Sequence, residues 1–157
     1  MALLRRVPGH LWLGAIFAAI VFGGLFGTVL PLLTTGGEPR AEISGQIPER
    51  LTVGENVEQP LALDNTSGGV IKRTCLLVGL EPAGVVELPE VRFQGLDTLR
   101  VTGGQACGGQ LSGQEVISLR ARLVALRPGT VRIGLTAGDA GRPIGPALSR
   151  TLTVVAR

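Results

Sequence analysis

Two kinds of hydrophobic pattern divide the chain. From Leu11 to Leu33 apolar and small residues run without a single charge. From Leu51 onward apolar residues come in short runs broken by Gly, Pro, Asn and Asp. Several of those runs have period two. In Ile117–Leu123 the odd positions are apolar, and Ser118, Arg120 and Arg122 take the other face. Val131–Ala137 repeats the alternation. One face is then suited to a core and the other to water, which is a strand signature. A helix would set Arg120 and Arg122 about 200° apart and leave no apolar stripe.

On this basis strands are expected near 51–57, 60–65, 70–80, 84–93, 98–102, 115–126, 130–137 and 148–156. The expected core residues are Leu61, Leu63, Leu76, Val78, Ile117, Leu119, Leu123, Val131, Ile133, Leu135, Leu152 and Val154. Turn chemistry falls between the runs. Pro128-Gly129 joins two strands, with Pro setting the first turn position and Gly free to take positive φ. Asn65-Thr66-Ser67-Gly68-Gly69 and Gly138-Asp139-Ala140-Gly141 are further turn clusters. About eight short strands with frequent turns imply an all-β fold, an immunoglobulin-like antiparallel β-sandwich over 51–157. Residues 34–50, with Pro39 and Pro48, read as a stalk or a first irregular strand.

The uncharged run reads as one N-terminal transmembrane helix over 11–33. At ~1.5 Å per residue it spans ~34 Å, enough for the ~30 Å hydrocarbon layer. Trp12 stands at its start, where indole favours the interface, and Arg5 and Arg6 precede it. The positive-inside rule then keeps residues 1–10 in the cytoplasm and puts the rest outside the cytoplasmic membrane. A cleaved signal peptide is the alternative. It would need a shorter apolar core and a small-x-small cleavage site, whereas this run closes on Leu30-Pro31-Leu32-Leu33. Both readings export the domain. Ala15, Ala19, Gly23 and Gly27 recur at spacings of four and form a small-residue ridge where a second helix can approach closely. The bilayer is thus one expected partner, and a protein or a second copy held through this helix is another.

Composition narrows the chemistry. Net charge is +3, but after Leu33 basic and acidic residues nearly balance. The Arg residues are spread singly along the expected strands, and Phe93 is the one aromatic residue there. Nucleic-acid binding wants a basic stripe and stacking platforms, so no nucleic acid is expected. The one histidine is His10, which leaves the exported part without a Ser-His or Cys-His pair. No two carboxylates are singled out by spacing. No enzyme activity, cofactor, metal or small-molecule substrate is expected. Asp64-Asn65 and Asp139 carry oxygen ligands of the kind calcium takes, but turn hydrogen bonds account for them too. Cys75 lies on an expected strand and Cys107 in a glycine-rich loop. In an exported domain two cysteines are most simply one disulfide, with two unpaired thiols as the alternative.

Several motifs together carry a resemblance. Val53-Gly54-Glu55 leads into Leu61-x-Leu63-x-Asn65-Thr66-Ser67-Gly68. Glu81-Pro82-Ala83-Gly84 follows, then Gly103–Gly109, then Leu126-Arg127-Pro128-Gly129-Thr130-Val131. This order resembles the immunoglobulin-like repeat domains of bacterial surface proteins, the CARDB-like group, over about 52–156. Those proteins usually carry tandem repeats, where one domain is read here. The resemblance implies adhesion, spacing or assembly outside the cell, with no catalytic residues to carry over. Two functions follow. One is a membrane-anchored, extracytoplasmic, non-enzymatic module that binds protein through its loops (Asn65–Gly69, Gly103–Gly113, Gly138–Pro146) or a sheet edge. The other is an accessory subunit of a larger membrane complex held by its helix.

Overall fold

Eleven strands make up the domain in the computed structural model, which describes residues 37–157. They are β1 (Ala41–Gly45), β2 (Arg50–Thr52), β3 (Asn56–Asn65), β4 (Thr74–Glu81), β5 (Val86–Phe93), β6 (Thr98–Arg100), β7 (Gln105–Cys107), β8 (Val116–Ala125), β9 (Gly129–Asp139), β10 (Arg142–Pro143) and β11 (Leu148–Val155). One sheet has the order β1-β3-β8-β5-β6 and the other β2-β11-β9-β4-β7, with β10 beside β9. Taken in chain order, β1-β3-β8-β5 facing β11-β9-β4 is the A-B-E-D and G-F-C arrangement of an immunoglobulin sandwich. The expected transmembrane helix lies outside the described residues. Among the described residues no helix is long and apolar enough to cross a membrane.

The period-two strands fill the core. Leu119, Ala121 and Leu123 of β8 face Val131, Ile133 and Leu135 of β9, all buried. Leu61, Leu63, Leu76, Leu152 and Val154 are buried as expected, and Phe93 is the largest side chain among them. Val78 and Ile117 have the inward parity but are only partly buried, packing against the rim of the core.

Some expectations change. Segment 34–50 holds strands: β1 is antiparallel to β3, and β2 joins the opposite sheet. Gln46–Glu49, with Pro48 inside, carries the chain between the sheets. The β2–β11 pairing is parallel, so the sandwich is not wholly antiparallel. The expected strands at 51–57 and 60–65 meet in β3, with Pro60 inside. The β1 ladder ends at Leu61, so Pro60 lies just beyond it, where a missing N–H costs little on that side. Pro128-Gly129 does join β8 to β9, but the two strands lie in different sheets. The link crosses the end of the sandwich, its Leu126 N–H donating to Val85 O at 2.9 Å, and Gly129 has φ 149°. Cys107 is on a short edge strand rather than in a loop.

Candidate interaction surfaces

At one end of the sandwich two loops are tied together through Asn65, and a third closes beside them. This side chain is fully buried. Its Nδ2 donates to Gly69 O and to Ser112 O, both at 2.8 Å. Its Oδ1 accepts from Ser67 N–H at 3.2 Å and from Ser67 Oγ at 2.8 Å. Gln114 N–H donates to Ser67 O at 3.0 Å, and Ile71 and Leu111 exchange two bonds of 2.9 Å. Gly113 fits because a Cβ there would stand 2.5 Å from Gly68 O. The third loop closes on the same end. Asp139 Oδ1 accepts from Arg73 N–H at 3.0 Å, and Ala140 N–H donates to Arg73 O at 2.9 Å. Asn65 thus spends its side-chain oxygen on Ser67 two residues on, as turn residues do, whereas Asp139 spends one on the backbone of a neighbouring loop.

Cys75 and Cys107 form a disulfide. They stand directly opposite each other in the β4–β7 ladder. The bond therefore holds an edge strand to its own sheet, unlike the bridge between sheets of antibody domains.

One sheet edge is guarded. Along β11, β2 covers only Thr153–Val155. Thr153 N–H donates to Glu49 O and Val155 O accepts from Val53 N–H, so odd-numbered residues turn their backbone groups to this side. Thr151 then faces an open cleft of about 960 Å³ lined by Gly45–Arg50 and Arg150. This is an exposed edge of the kind that accepts a foreign strand. Arg150 blocks it. It has the inward parity of Leu152, yet it is exposed, and its Nη1 donates to Ser149 O at 2.9 Å. A charge inserted at a free edge is a recognised defence against strand addition. Replacing it, Arg150→Val, is expected to promote self-association with unchanged folding. Light scattering at matched concentration reads this, and a variant as monodisperse as wild type would show that the edge needs no guard.

The outer face of the β3-β8-β5-β6 sheet is charged, and only strand pairing reveals how. Glu58 is opposite Arg122, Arg122 opposite Glu90, and Glu90 opposite Arg100. This row alternates in sign. In the next row Arg120 is opposite Arg92, and Arg92 is opposite Thr98. Arg122 Nη1 lies 3.2 Å from Glu90 Oε2, and Arg120 Nη1 lies 3.7 Å from Glu58 Oε2. Arg residues that look scattered along the sequence are gathered on one face. The alternation in β8 pairs Arg120 with Arg122, but nothing local signals that Arg92 and Arg100 join them.

The expected helix-packing residues Ala15, Ala19, Gly23 and Gly27, and Arg5, Arg6 and Trp12, lie outside the described residues. Among the described residues no group of three or more His, Cys, Asp or Glu side chains is placed to hold a metal ion.

No family model matches the chain, and no curated protein matches it. Solved structures do. AvmM, which catalyzes macrocyclization in alchivemycin A biosynthesis, aligns at TM-score 0.50 and 12% identity, covering 74% of this chain and 88% of that one. The cohesin module of a Clostridium perfringens family 33 glycoside hydrolase aligns at 0.49 and 17%, covering 76% and 98%. A CARDB domain from Pyrococcus furiosus aligns at 0.46 and 16%, covering 75% and 94%. At these identities the likeness is one of fold alone: the chain is an immunoglobulin-like β-sandwich, and the CARDB domain that its turn motifs resemble is among the structures similar to it.

Proposed function

We propose that the chain is a single-pass membrane protein whose sandwich lies outside the cytoplasm and works as a non-enzymatic protein-interaction or structural module. The observation that carries this reading is the disulfide between Cys75 and Cys107, in a chain whose residues Leu11–Leu33 are free of charge. Disulfides persist in oxidising compartments, and an uncharged run of this length suits a bilayer anchor. The tied loops add to it, since a pre-ordered surface loses little entropy on binding.

Expression in bacteria tests the reading. The protein is expected to stay in the membrane through alkaline carbonate extraction. Its domain is expected to be open to protease in spheroplasts, and its thiols to label only after reduction. Release by carbonate, or labelling without reduction, would sink it. The accessory-subunit reading rests on the ridge Ala15, Ala19, Gly23 and Gly27. It alone expects Gly23→Leu with Gly27→Leu to abolish co-purification of an integral-membrane partner.

A further inference from the structure

The outer face of the β3-β8-β5-β6 sheet carries a like-charge contact that the fold does not neutralise. Arg92 and Arg120 are direct cross-strand partners, and like charges so placed are destabilising. Arg120 leans toward Glu58. Arg92 has no ion pair among the described residues. Its Nε donates to Thr98 Oγ1 at 3.1 Å, which leaves its terminal nitrogens free. Arg100, next to Glu90 in the row, has no ion pair among the described residues either. The face therefore sets four guanidinium groups against the carboxylates of Glu58 and Glu90, with Glu87 one row further along. Of these, Glu58, Glu90, Arg92, Arg120 and Arg122 line an open cleft of about 450 Å³.

We propose that this cleft binds a compact tetrahedral oxyanion of the phosphate or sulfate class, held between Arg92 and Arg120. Three guanidinium groups against two carboxylates leave the cleft with a net positive charge, which favours an anion. Two guanidinium forks supply more donors than one carboxylate can accept, whereas a tetrahedral oxyanion takes both. Two neutral donors also border the cleft. Thr98 accepts from Arg92 and keeps its own O–H to give. Asn56 accepts from Arg122 Nε through Oδ1 at 3.0 Å, which leaves its NH₂ free. Bound there, the anion removes the Arg92–Arg120 repulsion.

The test is calorimetric titration of the full chain in detergent with inorganic phosphate and with sulfate, against chloride at matched ionic strength. One saturable site is expected for wild type. Arg92→Gln and Arg120→Gln should each weaken it by about tenfold or more, and Arg132→Gln on the other sheet should leave it unchanged. Arg92→Gln should keep the wild-type melting temperature or exceed it, because it removes the like-charge pair; its loss of binding then cannot be loss of fold. Undiminished binding by Arg92→Gln would overturn the proposal. So would binding of dextran sulfate with no binding of either small anion, which would mean a diffuse field and no site. Binding of an Asp-rich peptide but of neither small anion would overturn it in favour of a carboxylate partner.

Discussion

Replacing Cys75 and Cys107 together with alanine is expected to lower the unfolding free energy by about 3–4 kcal/mol, as the chain-entropy model gives for a loop of this length. The two cysteines are 32 residues apart. Between them the chain leaves one sheet, forms β5 and β6 in the other, and returns as β7. Cutting the bond frees this whole excursion in the unfolded chain, while the native state loses only a staple on a three-residue edge strand. For a domain of this size the loss is about 10–20 °C in melting temperature. Reduction of the wild-type protein should reproduce it, and hydrogen exchange should rise first at Gln105–Cys107. An unchanged melting temperature under reducing conditions would show that the bond adds no stability. Small domains commonly have only about 5–15 kcal/mol in hand, so the reduced protein is expected to fold but to be easily lost to proteolysis.

Asn65→Ala is expected to cost about 2–4 kcal/mol, because it strips hydrogen bonds from the buried Gly69 carbonyl and from Ser112 O and leaves a cavity. Four bonds end on this side chain. Two of its partners, Gly69 O and Ser112 O, come from different loops, so the variant should also loosen the loop end. Asn65→Asp sharpens the test. It keeps the acceptor for Ser67 but replaces the donor with an anion facing two carbonyl oxygens, so it is expected to cost at least as much as alanine. Thr66→Ala is the control. Thr66 is exposed and makes one long bond to Arg40 O at 3.3 Å, and its loss should fall within about 0.5 kcal/mol. Chemical denaturation reads all three. If Asn65→Asp matched wild type, the donor role of Asn65 would be wrong.

These two residues also show how differently the parts of the domain are written into the chain. Cys75 and Cys107 are conspicuous because they are the two cysteines, and the compartment argument pairs them without any geometry. Asn65 is visible as a turn former, but its reach to Ser112 is not, since that partner is 47 positions away.

What the sequence determined by itself is local. The alternation in Ile117–Leu123 and Val131–Ala137 says which side chains face the core, because successive residues on a strand point to opposite faces whatever the neighbours are. The glycine and proline clusters say where strands end. The uncharged run from Leu11 to Leu33 sets the expectation of an anchor. Tertiary structure decided the rest. β8 and β9 have the same pattern and a short link, yet they lie in different sheets. β1 and β2 are short, so the pattern offers a strand at each without saying what it pairs with; their partners are the open ladders of β3 and β11. The facing of Arg92 and Arg120 depends on the register between β5 and β8, which a local pattern does not carry. A shift of one residue would leave every alternation intact and turn one of the two arginines inward. Register is set by the packing of the whole sandwich, and so is the arrangement of charge on its outer face.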